Sequence, residues 1–218
     1  MTANIITFCR ILLSFLVVFL YQWSFSARVI AVGLTIVVIL LDSLDGLVAR
    51  KLGESSDFGA LFDISGDRIV EHVFWIFFAA RGLISFWVPV IFVGRSFLVD
   101  TLRSVAYARE GKTPFGEKSM MKSPFTRFLT ASPFSRSTYA FGKVLVFVLL
   151  GCILAYQAGF ETLSQWLPPT FLGNLIFVTE LMTWIVVAMN LIRGLPVLWD
   201  GRQYLFEKQF PRKFRSDA

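Results

Sequence analysis

Four aspartates stand at fixed intervals in the first third of the chain: Asp42 and Asp45, then Asp63 and Asp67. Spacings of three and four residues put each pair on one face of a helix. Two such pairs brought together would form an all-oxygen box for hard divalent cations, Mg²⁺ or Mn²⁺. Two ions about 3.5–4 Å apart clamp a phosphoryl transfer by stabilising the attacking and leaving oxygens. Small residues accompany the acids. Gly46 and Ala49 follow Asp45 where a missing side chain lets a ligand approach the backbone, and Gly59 gives the second segment a close start. Arg50 sits at the mouth of the box, placed to pair with phosphate.

The rest of the chain is an unusual host for these acids. Of 218 residues, 56% are hydrophobic and only 17% charged, and mean hydropathy is +0.66. Soluble domains carry about 25% charged residues, so the composition predicts a polytopic membrane protein. A central Asp costs roughly 2.5–3.5 kcal/mol on insertion scales, and four on the order of 10 kcal/mol if left uncompensated. A bound divalent cation would offset that cost. Cys9 and Cys152 both fall in apolar runs, which argues against a disulfide framework or thiolate metal site. His72 is the lone histidine, with no spacing that suits a zinc site or a Ser-His-Asp triad. The net charge of +6 reads as positive-inside loops and attraction to anionic lipid, not as nucleic-acid binding.

Six runs, approximately 5–23, 28–50, 59–81, 86–108, 138–160 and 171–193, approach the roughly 20 residues needed to span a bilayer. The expected fold is all-α: a polytopic membrane bundle of about six transmembrane helices in a single domain, 1–218. The first run is too long for a signal-peptide core and is read as a retained helix. The segment 109–137, rich in Lys, Arg, Ser, Thr, Pro and Gly, is read as a loop. Positive charge gathers after run 2, after run 4 and in the tail, which includes Arg193. This alternation predicts both ends and the aspartates on the cytoplasmic side. Depth along antiparallel runs 2 and 3, at about 1.5 Å per residue, matches Asp42 with Asp67 and Asp45 with Asp63. Glu71 continues the Asp63–Asp67 face, in reach of Asp67 or an internal Arg. His72 is turned about 100° away and reads as helix packing.

The pattern Asp42-x2-Asp45-Gly46-x2-Ala49-Arg50-x8-Gly59-x3-Asp63-x3-Asp67 resembles the signature of the CDP-alcohol phosphotransferase (CDP-alcohol phosphatidyltransferase) family at every fixed position. The resemblance implies an integral enzyme of phospholipid synthesis, acting on CDP-diacylglycerol and an alcohol with release of CMP. It implies two metal ions on the four aspartates, Asp42 and Asp63 bridging both, and Asp67 as general base. Asn4, Thr7, Gly46, Arg50 and Ser56 match positions that contact the CDP-lipid; Ala49 and Gly59 belong with that donor site. It further implies a homodimer in the cell (inner) membrane, with the active site on the cytoplasmic side.

The acceptor is less sharply marked. Arg95, Arg103 and Lys143 could hold a phosphorylated alcohol. Arg95, Leu102-Arg103, Gly111-Lys112 and Gly142-Lys143 resemble the phosphatidylglycerophosphate synthase branch, which points to glycerol 3-phosphate. Ser96 stands where that branch usually has Glu, so phosphatidylinositol phosphate and phosphatidylserine synthesis stay open. A divalent-cation transporter would also use intramembrane acids. The clustering of the acids near one face, with apolar outer halves in runs 2 and 3, argues against it.

Overall fold

The computed structural model describes residues 2–52, 57–110 and 124–206; the side chains of 2–3, 42–52, 57–58, 60, 107–110, 124–125, 127, 131 and 203–206 are outside that description. All regular structure among these residues is helical. The segments are α1 (Thr2–Leu20), α2 (Phe25–Leu52), α3 (Asp57–Ala80), α4 (Trp87–Glu110), α5 (Pro124–Ala131), α6 (Pro133–Ala158), the single turn α7 (Phe160–Leu163) and α8 (Phe171–Phe206).

Each of the six expected runs is a helix, and α6 and α8 depart most from the expected bounds. The segment 109–137 is not a loop throughout. Its described second half forms α5 and the first turn of α6. Ser132 caps α6, its hydroxyl accepting the Ser135 N–H at 3.2 Å, and Pro133 occupies the first turn. A Ser-Pro start of this kind spares the helix one orphan donor and satisfies another. Likewise, α8 continues past residue 193 into what reads as a tail, carrying Pro196 inside it. Between α3 and α4 the chain reverses at Gly82, whose φ of 71° is left-handed. Gly82 N–H bonds to Ala79 O and Leu83 N–H to Phe78 O, the paired bonds of a Schellman stop.

The exterior is apolar, as a lipid solvent requires. Phe128–Ala158 and Phe171–Arg202 are long and apolar enough to cross a membrane; Asn4–Leu20 and Phe25–Leu41 are shorter apolar stretches. In α1, Ile5, Phe8, Leu12, Phe15 and Phe19 face outward, while Thr7, Arg10, Ser14 and Val17, with Tyr21 just past its end, are buried. The buried stripe is polar at one end of the helix and apolar at the other. Inside, α1 packs on α2 and α3, α2 on α6, and α8 on α4 and α6. Among the described residues the principal neighbour of both α2 and α3 is therefore α1, rather than each other. Trp75 of α3 holds the apolar end together, its ring 4.6 Å from those of Phe92 and Phe147. This aromatic cluster anchors α3 and leaves its opposite end, with Asp63 and Asp67, to the polar part of the bundle.

Candidate active site

Asp63 and Asp67 lie one turn apart on α3, and each side chain is 44% exposed. Opposite them, α1 presents Arg10, which is only 1% exposed. Arg10 Nη2 donates to Asp67 Oδ1 at 2.6 Å and lies 3.7 Å from Asp63 Oδ1. The close approach of α1 and α3 depends on Gly66, which lies between the two acids in sequence. A Cβ there would meet Thr7 Cγ2 at 2.6 Å and Arg10 Nη2 at 3.4 Å. Thr7, a donor-site candidate, is buried at this same contact, and Asn4 lies one turn before it on α1.

Two half-exposed carboxylates on one helix face have the donor chemistry a hard divalent cation takes. No group of three or more potential ligands gathers among the described residues alone. Asp42, Asp45, Gly46, Ala49 and Arg50 fall on α2, where side chains are outside the description, and Ser56 lies outside the described residues. Gly59 is in the first turn of α3. Asp63 and Asp67 are thus the described half of the expected box.

The next residue, Arg68, opens a second polar region. Its guanidinium grips Asp100 of α4 with two bonds, Nε to Oδ2 at 2.8 Å and Nη2 to Oδ1 at 3.2 Å. Arg68 Nη1 also reaches Glu71 at 3.4 Å. Glu71 is buried and accepts from Lys143 Nζ at 3.1 Å and from the Tyr139 hydroxyl at 3.4 Å, both on α6. Of the two partners expected for Glu71, the internal arginine is the one observed. Arg103 stands 3.8 Å from Asp100, within electrostatic reach of Arg95, Arg68 and Arg193. Arg95, Arg103 and Lys143, proposed separately from the sequence, therefore meet in one network.

Among the described residues this region holds five basic side chains, Arg68, Arg95, Arg103, Lys143 and Arg193, and two acids, Glu71 and Asp100. Several donors remain unused: Nε of Arg95, Nε of Arg193 and Nδ2 of Asn190 are buried with no acceptor among the described residues. Buried donors without acceptors cost about 1–3 kcal/mol each. An anion would satisfy both the charge surplus and the donors. Gly194 of α8 makes room for Arg95, because a Cβ there would lie 2.7 Å from Arg95 Nε.

Several of these residues escape a reading of sequence alone. Arg193 is not a tail cation. It donates to Ser135 Oγ at 2.7 Å and Thr130 O at 3.2 Å and lies over the Tyr139 ring. Arg10 could have been flagged by its position: a lone arginine in an apolar run, three residues after Thr7. Arg68 and Asp100 carry no such signal, since 32 residues separate them.

A sequence model described as CDP-alcohol phosphatidyltransferase matches residues 1–189. The chain belongs to the CDP-alcohol phosphatidyltransferase family. Members are membrane proteins, in keeping with the apolar helices of this one. Over 116 residues it is 32% identical to a probable phosphatidylglycerophosphate synthase of Mycobacterium tuberculosis, covering 51% of this chain and 55% of that protein. The same match recurs in a second strain of that organism. It is 31% identical over 77 residues to a CDP-diacylglycerol--glycerol-3-phosphate 3-phosphatidyltransferase of Mycoplasma genitalium, covering 35% of this chain and 33% of that protein. The matched part spans about half the length of the Mycobacterium relatives and a third of the Mycoplasma one.

Proposed function

We propose that this family member is a membrane-embedded transferase that moves the phosphatidyl group of CDP-diacylglycerol to glycerol 3-phosphate and releases CMP. The observation that carries the reading is the pairing of two unlike regions on α3. Half-exposed carboxylates stand on one side, and a buried network with surplus positive charge begins at the next residue. A phosphorylated acceptor needs such a network; serine, with no phosphate, does not. The names of the relatives support glycerol 3-phosphate over inositol phosphate.

Asp42, Asp45, Asp63 and Asp67 would hold two divalent cations, Mg²⁺ or Mn²⁺, an ion type the family generally uses. When bound, such ions neutralise the diphosphate and stabilise the leaving CMP. The protein's own part is orientation and proton transfer. Arg95, Arg103 and Lys143 bind the acceptor phosphate through charge-assisted bonds. They thereby fix the hydroxyl near α3. Asp67 accepts the hydroxyl proton, the oxygen bonds to the phosphatidyl phosphorus, and the bond from that phosphorus to the CMP oxygen breaks. Asn4, Thr7, Gly46, Ala49, Arg50, Ser56 and Gly59 line the donor side. A single membrane domain over 1–218, six spans with both ends cytoplasmic, a homodimer and an inner-membrane location complete the reading.

The test is an assay of the purified chain with CDP-diacylglycerol and Mg²⁺ or Mn²⁺, offering glycerol 3-phosphate, inositol phosphate, serine and inositol in parallel. Metal-dependent CMP release with glycerol 3-phosphate is expected. Release with inositol phosphate alone would move the acceptor assignment, and release with none of the four would overturn the function.

A further inference from the structure

Arg10 stands outside the aspartate motif, yet among the described residues it is the most completely buried charge beside it. The exposures are lopsided: 1% for Arg10 against 44% for each acid. The buried guanidinium thus meets carboxylates that are in part open to solvent. A buried ion pair is seldom the most stable way to fill such a space, since an apolar side chain commonly does as well or better. Packing alone is therefore a weak reason for this residue. Nη2 takes Oδ1 of Asp67 at 2.6 Å and lies 3.7 Å from Oδ1 of Asp63, so one guanidinium nitrogen faces both acids.

We propose that Arg10 is a positioning residue for the reaction centre. It holds Asp67 by Oδ1, sets the direction of that carboxylate, and neutralises the mutual repulsion of two acids on one helix face before a cation arrives. Gly66 is the companion requirement, because it lets α1 come close enough for the guanidinium to reach. The inference rests on Asp63 and Asp67 being cation ligands. A guanidinium is a permanent charge and a rigid planar donor. Lysine would keep the charge but lose the fixed geometry, so the two contributions can be separated.

Thermal unfolding of the full-length chain in detergent, in EDTA and in saturating Mn²⁺, is the deciding measurement. Wild type should gain stability with Mn²⁺, and Asp67→Asn should lose most of that gain, which tests the ligand reading by itself. Arg10→Gln should unfold well below wild type in EDTA, and Mn²⁺ should close at least half of the gap by supplying the missing positive charge. Its kcat should fall roughly 10–100-fold, the scale of a carboxylate misplaced by about 1 Å, with KM for the CDP-lipid changed less than about threefold. Arg10→Lys should recover the EDTA stability more fully than the kcat. If Arg10→Gln does not fold, Gly66→Ala, which keeps the charge but forces α1 away, should show the same kcat loss. A gap that Mn²⁺ leaves unchanged, or a kcat within about twofold of wild type in the variant that folds, overturns the role of Arg10 alone. No Mn²⁺ effect on wild type overturns the ligand reading and this inference together.

Discussion

Asp67 and Arg68 are neighbours in the chain and belong to two regions built on opposite principles. Around Asp67, the buried Arg10 faces acids whose side chains are half exposed. Around Arg68, both acids are engaged by neighbouring basic groups, and basic groups with unused donors are left over. On the proposed reading the first region takes a cation and the second an anion. A helix rotates about 100° per residue, so adjacent positions can serve different cavities without a change of fold. On the proposed reading, one helix would bring a diphosphate and a phosphorylated alcohol together while keeping their counter-charges apart.

Removing the acid should separate the regions most completely. Asp67→Asn is expected to lower CMP release by at least ~10²–10⁴-fold, the range for loss of a general base. Helix content and elution as a folded protein should be retained. Wild-type turnover in this variant would take Asp67 out of the base role.

The second break falls on Glu71. Its side chain is 6% exposed and accepts from Arg68, Lys143 and Tyr139. Glu71→Gln leaves two cations facing each other without their shared counter-charge. Breaking a buried pair costs about 3–5 kcal/mol, which should appear as a large drop in unfolding temperature. Phosphate or glycerol 3-phosphate should restore part of this loss, because either replaces the missing negative charge. No such rescue is expected for Asp67→Asn. Equal behaviour of the two variants would erase the distinction between the regions.

The two regions also differ in how far they can be read from sequence. The acids of the first lie within 26 residues of one another, so spacing and helix geometry predict that they share one level; Asp63 and Asp67 are the two whose side chains are described. Arg10 belongs to the same region but comes from α1, and only tertiary packing shows which acid it meets. The second region draws on α3, α4, α6 and α8. Arg95, Arg103 and Lys143 stand out as charges in apolar runs, but their sorting around Glu71 and Asp100 depends on distant contacts. Element ends failed for a similar reason. Arg193 and Asp200 look like tail residues until their partners on α5, Thr130 and Thr126, are known. Charged side chains satisfied inside the protein do not end a helix, although in a hydropathy profile they end a span.

A milder change sharpens the acceptor side alone. Gly194→Ala places a methyl group 2.7 Å from Arg95 Nε. The arginine stem can shift, so the fold should survive while the guanidinium moves. KM for glycerol 3-phosphate should rise about tenfold, near 1.4 kcal/mol, with KM for the CDP-lipid and the Mn²⁺ stabilisation unchanged. A rise confined to the CDP-lipid KM would place Arg95 on the donor side instead.

The smallest effect is expected at His72, which controls for both regions because it shares α3 with them. Its ring nitrogens are buried and make no hydrogen bond among the described residues. A buried polar group without partners gives nothing back for its lost hydration, and an apolar replacement of similar shape can be neutral or stabilising. His72→Leu should therefore change stability by less than about 1 kcal/mol or increase it, with CMP release and its pH profile unchanged. A loss of activity, or a new pH dependence near the histidine range, would mean that a third side of α3 takes part in the chemistry. The division of this helix into one cation-seeking and one anion-seeking side would then be incomplete.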